Sequence, residues 1–328
     1  MFAGFLNKGI RGSLVLLAII FSLCSIILFF APKSLELNNY PNLFYNYFSQ
    51  KIDNKFFITF LNFLFTALGI ILISLISVKQ EVTEKLNYFP VFIFLMLSVV
   101  CINPNQVTPQ IFTNVFVLYS IYKLLDCYRK ENVLNQLFEA AFWLSISAYI
   151  TISSVISFPL FFSVLLILRP FYWRDWAIAI LGFIAPIFIC ESIAYLSDFS
   201  QWYLFKSIAL FFQFFQLPSF SEYFLPLIVF LVITLIISIF QNLVHGFGNT
   251  LKKQRAKIIL FWFLFFAVFG FFSGGANSAS IILTYAFPLS FFIGDFLYGI
   301  KQVKTTNTIL VFFILCILVV FLGEYDVI

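Results

Sequence analysis

Three carboxylates lie inside or close to long apolar stretches of the sequence: Glu139, Glu191 and Asp295. An ionisable side chain at membrane depth costs about 3 kcal/mol on insertion scales, so each is a candidate for substrate or ion binding. Glu139 and Asp295 stand near the ends of their stretches, where solvent, or pairing with Arg129 or Lys301, accounts for them. Glu191 is deeper, and its sequence neighbours supply no positive charge. We therefore expect Glu191 to face a cavity and to contact a substrate.

Further carboxylates lie in two polar segments that separate apolar stretches, near 32–55 and 198–222. Glu36 and Asp53 belong to the first segment, and Asp198 opens the second. A carboxylate held at a membrane surface can act as a general base toward a sugar hydroxyl, or can bind a metal that carries a phosphate. Glu36 and Asp53 are therefore the candidate catalytic residues. The alternative is that all three are solvated loop charges.

Two lysines of the same segments, Lys33 and Lys206, are placed to meet a lipid phosphate, although a lysine at this depth also snorkels without any ligand. The candidate substrate-binding residues are thus Lys33, Lys206, Glu191 and Asp198.

Other kinds of site are poorly supported by the sequence. The five cysteines are scattered along the apolar stretches without a Cys-x-x-Cys pair, and His245 is the only histidine. Sites that need several imidazoles are thereby excluded, and Ser-His or Cys-His catalysis is disfavoured. We expect no metal site and no cofactor, except a divalent cation that could accompany a phosphate substrate. No basic run adjoins a soluble domain, so nucleic acid is not an expected partner.

The composition identifies the environment of these residues. Hydrophobic residues make up 62% of the 328 residues, charged residues make up 10%, and the mean hydropathy is +1.03. Soluble domains carry about 25% charged residues, and lipid admits only helices or closed barrels. Because the apolar runs are continuous, they predict an all-α, polytopic transmembrane helix bundle that forms a single domain over residues 1–328.

The layout is anchored by Arg169-Pro-Phe-Tyr-Trp-Arg-Asp-Trp176, whose arginines, aromatic residues and proline are typical of a membrane boundary. A second boundary is the basic run Lys252–Lys257, which we expect to be a turn. The stretch from 133 to 168 is longer than one helix and has small polar residues near 151–154, so we divide it into two short helices. The other apolar runs predict nine further helices, at about 13–31, 56–78, 88–103, 110–126, 177–197, 223–243, 258–273, 280–297 and 306–322.

These eleven helices can be oriented by their positive charges. With the N-terminus in the cytoplasm and the C-terminus outside, fifteen of the 19 lysines and arginines fall on the cytoplasmic side. If 133–168 were one span, every later segment would invert and this bias would disappear. We therefore expect a multi-pass protein of the bacterial inner membrane with 32–55 and 198–222 as interfacial exterior segments.

The middle of the chain resembles GT-C superfamily glycosyltransferases. The resemblance covers roughly residues 10–190 and rests on the small and polar residues from Ser145 to Ser157, on the boundary motif, and on the apolar helix that ends Gly182-Phe-Ile-Ala-Pro186. It implies a GT-C-like architecture and transfer of a sugar from a polyprenyl-phosphate lipid at the exterior face. In that superfamily the loop after the first helix commonly holds the catalytic acid, which corresponds to Glu36 or Asp53 here. The paired acids expected after the first helix are absent.

The whole chain also resembles an uncharacterised multi-spanning inner-membrane protein family of gliding-type, Bacteroidota-like bacteria. The sequence leaves three functions open. The first is GT-C-like sugar transfer in the cell envelope. The second is a non-catalytic membrane subunit or scaffold of an envelope machine, with a membrane protein partner. The third is a secondary transporter that uses Glu191 as its coupling site.

Overall fold

A computed structural model describes most of the chain from residue 54 to residue 324. The described residues are Ile20, Ser22, and 54–80, 82–83, 87–102, 107–128, 130, 132–151, 154–155, 157–168, 172–196, 222–244, 250–270, 278–300 and 302–324. All regular structure in these residues is helical, which confirms the predicted all-α class. The helix predicted at 13–31 lies outside them except for two residues.

Ten α-helices are described, and each matches a predicted apolar run. They are α1 Lys55–Lys79, α2 Phe89–Val100, α3 Pro109–Asp126, α4 Leu134–Ile150, α5 Ser157–Leu168, α6 Trp173–Leu196, α7 Leu225–Val244, α8 Leu251–Gly270, α9 Ser278–Gly299 and α10 Val303–Glu324. A short 3₁₀ turn, Glu222–Phe224, precedes α7.

Five of the described helices are long and apolar enough to cross a membrane, in α1, α6, α7, α9 and α10. The protein is therefore a multi-pass membrane protein. The helix α2 has only 12 residues, or about 18 Å of rise, which is short of the roughly 30 Å hydrocarbon core. How many of the eleven predicted helices cross completely stays a prediction.

The core of the bundle is formed by α2 and α9, which pack against each other. Every residue of α2 except Met96 is buried, and 78% of the span in α9 is buried, whereas only 22–33% of the spans in α6, α7 and α10 is buried. The contact between α2 and α9 is tight, since a Cβ at Gly294 would lie 2.6 Å from Pro90. Central helices and lipid-facing helices are thus both apolar, and only the packing distinguishes them.

The helices α4 and α5 form a hairpin, as predicted for 133–168. The amide of Thr151 still bonds to the Ser147 carbonyl at 3.0 Å, but Thr151 itself is extended, with φ −134° and ψ 123°, which ends α4. The hairpin starts and finishes at the same end of the bundle. Glu139 in α4 pairs with Lys123 of α3, and the last carbonyl of α5 accepts a hydrogen bond from α8 at that end.

That end of the bundle, here called the basic end, gathers charged residues from six helices. Lys252 of α8 donates to the carbonyl of Lys79 at 2.9 Å, and Arg255 of α8 donates to the carbonyl of Leu168 at 3.4 Å. One turn deeper, Lys257 forms an ion pair with Asp295 of α9. Four of the cations that were predicted to share one face, Lys79, Lys252, Arg255 and Lys257, therefore lie at one end of the described bundle.

Two details at the basic end differ from the predictions. Lys252–Lys257 is not a turn but the first two turns of α8, because Thr250 caps this helix: its hydroxyl accepts from the amide of Lys253, and its carbonyl from that of Gln254. Likewise the boundary residues from Trp173 onward already belong to α6. Lysine and arginine are good helix formers, so both helices continue beyond the apolar run.

Among the described residues, Glu139 and Asp295 each pair with a lysine that the sequence did not suggest, while the predicted pairing with Arg129 or Lys301 stays a prediction. Glu139 lies 2.6 Å from Lys123, and Asp295 pairs with Lys257, whereas Arg129 and Lys301 lie outside the described residues. The actual partners are on neighbouring helices, and sequence proximity does not identify them.

Candidate functional site at the end opposite the basic network

Glu191 is the one predicted site residue that the structure describes. It lies five residues before the end of α6, far from the basic start of that helix, and its side chain is partly exposed. The hydroxyl of Tyr149, in the last turn of α4, lies 3.4 Å from Glu191 Oε1 and 3.3 Å from the carbonyl oxygen of Ile187. Both distances are long for a hydroxyl donor, so the single proton of Tyr149 is shared between two acceptors.

The position of Tyr149 follows from the way α4 and α6 pack. Ser145 donates to the carbonyl of Phe183 at 2.8 Å, and one turn further along α4 Tyr149 lies 3.3 Å from the carbonyl of Ile187. In each pair the two residues are 38 positions apart in the sequence. The two helices therefore run parallel in a fixed register. They approach closely because residue 182 is glycine, where a Cβ would lie 2.8 Å from the backbone of α4.

A cluster of buried hydroxyls lies at the same end, on the other side of α4. Thr113 of α3 and Thr151 are joined by a 2.8 Å hydrogen bond between their hydroxyls. Ser147 donates to Ser154 at 3.1 Å, and Ser154 donates to the carbonyl of Thr151 at 2.8 Å. Because Tyr149 stands between Ser147 and Thr151, this cluster and Glu191 are held by the same turn of α4.

Gln110, at the start of α3, adds an amide to this end. Its side chain is buried, and within the described part of the chain its Oε1 has no hydrogen-bond partner. Nearby in sequence, the amide of Thr108 donates to Asn62 Oδ1 at 3.0 Å, which ties the start of α3 to α1. A buried acceptor without a donor costs about 1–3 kcal/mol, so this position favours a water or a ligand hydroxyl.

Sequence reasoning missed Tyr149, Gln110 and Thr113. The run of small and polar residues from Ser145 to Ser157 was a usable signal, because such residues are rare at the end of an apolar helix. Nothing in the sequence indicated that Tyr149 reaches Glu191. The other five candidate residues lie outside the described residues and stay predictions: Lys33, Glu36, Asp53, Asp198 and Lys206.

The described residues contain no group of three histidine, cysteine, aspartate or glutamate side chains that could hold a metal ion. A divalent cation bound with a phosphate substrate stays a prediction. This end of the bundle therefore holds a partly exposed carboxylate beside a phenol, and a buried amide and several buried hydroxyls on other faces, all of which are groups that can hydrogen-bond to sugar hydroxyls.

Comparison with known proteins gives one informative result. No family model matches the chain, and no curated protein matches it. Among solved structures, the fold is similar to that of the GT-C glycosyltransferase ArnT from Cupriavidus metallidurans, which was crystallised bound to undecaprenyl phosphate. The TM-score is 0.58 at 10% sequence identity. The similarity covers 92% of this chain and 63% of ArnT, so this chain spans less than two thirds of the length of that structure. The predicted GT-C-like architecture is thereby confirmed for the fold, while the resemblance to the family of gliding-type bacteria stays a prediction.

Proposed function

We propose that this protein transfers a sugar from a polyprenyl-phosphate carrier to a hydroxyl acceptor at the exterior face of the bacterial inner membrane. The observation that carries the proposal is the partly exposed Glu191, held beside Tyr149 at the end of a GT-C-like bundle that lies opposite the basic end. The positive-inside rule assigns the basic end to the cytoplasm, so the Glu191 end faces outward.

The proposed reaction is a substitution at the anomeric carbon of the sugar. The oxygen of the acceptor hydroxyl forms a bond to this carbon, and its proton passes to a carboxylate base. The bond from the carbon to the phosphate oxygen breaks, and the polyprenyl phosphate leaves with the electron pair. Glu36 and Asp53 are the candidates for the base, and Lys33 and Lys206 are the candidates for contact with the phosphate.

The described residues supply binding rather than proton transfer in this scheme. The carboxylate of Glu191 has up to four acceptor positions, its side chain is partly exposed, and the Tyr149 hydroxyl lies 3.4 Å from one of its oxygens. Hydrogen bonds to an ionised acceptor contribute about 1.5–3 kcal/mol, so sugar hydroxyls that donate to Glu191 would be held firmly. Asp198 stays a candidate for the same role.

The proposal can be tested in a deletion strain of the bacterium that encodes the protein. The strain is complemented with the wild type or with Glu36→Gln, Asp53→Asn, Glu191→Gln or Glu139→Gln, and surface glycans are profiled at matched protein levels. Glu139→Gln is the matched control, because it makes the same change at the basic end, where Glu139 only pairs with Lys123.

We expect Glu191→Gln and one of the two loop variants to remove a glycan, while Glu139→Gln leaves it intact. Full complementation by every variant would exclude the carboxylate mechanism and would favour a scaffold with a membrane protein partner. A different outcome would favour the carrier hypothesis over the transferase. In that outcome the surface glycans are unchanged in every variant, but Glu191→Gln alone does not complement the deletion and a solute accumulates.

A further inference from the structure

Three hydrogen-bond donors from three helices meet at the basic end. The ammonium of Lys79, the last residue of α1, lies 3.3 Å from the hydroxyl of Tyr122 in α3 and 5.8 Å from the centre of its ring. The ammonium of Lys252 in α8 donates to the carbonyl of Lys79 at 2.9 Å. Each ammonium has three N–H donors and one described hydrogen bond, so donors remain on both.

The ion pairs described at the basic end join its carboxylates to other lysines than these two. Glu139 pairs with Lys123, Asp126 pairs with Lys130, and Asp295 pairs with Lys257. Among the described residues, neither Lys79 nor Lys252 forms an ion pair. The described hydrogen-bond partners of these two ammonium groups, the Tyr122 hydroxyl and the main-chain carbonyl of Lys79, are neutral, and the second contact brings Lys252 to the end of α1.

Arg255 adds a third charge to the same surface. It follows Lys252 by three residues, so the two side chains are neighbours on one face of α8. Its guanidinium lies 5.1 Å from the centre of the Tyr128 ring, and it donates to the carbonyl of Leu168 at 3.4 Å. Aromatic and carbonyl contacts fix its position without cancelling its charge.

We propose that Lys79, Lys252 and Arg255, together with the Tyr122 hydroxyl, bind a phosphate group. Several cations and a hydroxyl donor suit a phosphate, whose oxygens accept several hydrogen bonds at once, and no described carboxylate pairs with Lys79 or Lys252. Lys79 ends a candidate membrane span, so the site lies at headgroup depth. The phosphate is accordingly that of an anionic membrane lipid. The site is separate from the proposed sugar site, at the other end of the bundle.

The test uses the full-length protein in neutral detergent and native mass spectrometry. It is titrated with dioleoyl phosphatidylglycerol, with dioleoyl phosphatidylcholine, and with phosphatidylglycerol in the presence of millimolar inorganic phosphate. The variant is Lys79→Gln/Lys252→Gln. The matched control is Lys130→Gln/Lys304→Gln, which removes two charges outside the three-cation cluster. Lys79→Arg/Lys252→Arg keeps the charges, and size-exclusion profiles check that each variant is folded.

We expect one saturable phosphatidylglycerol molecule on the wild type. Removing one basic residue should lower the affinity for the lipid about five-fold, so Lys79→Gln/Lys252→Gln should lower it roughly 25-fold. The control variant and Lys79→Arg/Lys252→Arg should change the affinity about two-fold or less. If inorganic phosphate displaces the lipid, the site still binds a phosphate group, but the natural ligand is a soluble phosphate and not a lipid. An equal loss in the control variant, or wild-type binding that does not saturate or does not distinguish the two lipids, would overturn the proposal.

Discussion

The ion pair between Lys257 and Asp295 is expected to contribute more to stability than any other described charge pair. The side chains are only 8% and 11% exposed, and the Lys257 ammonium also donates to Asn242 Oδ1 of α7 at 2.6 Å. The pair thus links three helices, α7, α8 and α9, in a part of the bundle where water is scarce. Replacing Asp295 with asparagine would remove the carboxylate from a buried ammonium and leave a neutral amide in its place.

The expected loss of stability follows from how deeply the pair of Lys257 and Asp295 is buried. Breaking a buried pair by removing one partner costs about 3–5 kcal/mol, because the remaining charge is uncompensated. The pair between Lys123 and Glu139 is 22% and 44% exposed, and an exposed pair contributes only about 0–1 kcal/mol. At roughly 2 °C per kcal/mol for a large domain, Asp295→Asn should lower the Tm by about 6–10 °C and Glu139→Gln by about 2 °C or less.

The assay is thermal unfolding followed by tryptophan fluorescence, with the protein in one neutral detergent. Lys257→Met, Asp295→Leu and the double variant complete a mutant cycle. Because an apolar pair of similar volume can replace a buried ion pair, the double variant should be more stable than the sum of the single losses predicts. Additive losses, or equal shifts for Asp295→Asn and Glu139→Gln, would refute the reasoning.

Two further predictions concern the packing of α4 and the hydroxyl cluster. Gly182→Ala places a Cβ 2.8 Å from Ala141, so it should destabilise the protein by about 1–3 kcal/mol, whereas Gly299→Ala, with no atom within 4 Å, should leave the Tm nearly unchanged. If both changes have the same effect, the parallel contact of α4 and α6 is wrong. Thr113→Val should cost about 1–3 kcal/mol, because the buried Thr151 hydroxyl loses this partner. Thr151→Val should cost less, because the Thr113 hydroxyl keeps its 3.0 Å hydrogen bond to the Pro109 carbonyl, and the double variant should cost less than the sum of the two in the same unfolding assay.

The positions of the helices were predictable because each is an apolar run. The division of 133–168 into two helices was also correct. Small polar residues near Thr151 interrupt the apolar run, and with only one helix there the lysines and arginines of the later segments would no longer fall on the cytoplasmic side. The beginnings of α6 and α8 were less predictable. Basic residues are equally compatible with a membrane-surface turn and with a first helical turn, and the cap at Thr250 decided between them.

The neighbours of each polar residue were not predictable from the sequence. Helices such as α6 and α10 are apolar on all sides, so their sequence does not reveal which face meets another helix. Lys257 and Asp295 are 38 residues apart, and Tyr149 and Glu191 are 42 apart; each pair meets only because two helices pack in one register. A prediction from sequence could identify the ionisable residues but not their partners.

The two ends of the bundle differ in how readily their polar groups can change partners. At the basic end, Glu139, Asp126 and Asp295 are each matched with one lysine, and separating a charge pair is costly where it is buried. At the opposite end the groups are hydroxyls, an amide and a phenol. Each hydroxyl can both donate and accept, so it can exchange a protein partner for a ligand hydroxyl with little net change in hydrogen bonding. Gln110, whose Oε1 has no hydrogen-bond partner within the described part of the chain, also lies at that end. This difference agrees with the proposed binding of a hydroxyl-rich ligand at the Glu191 end and of a phosphate group at the basic end.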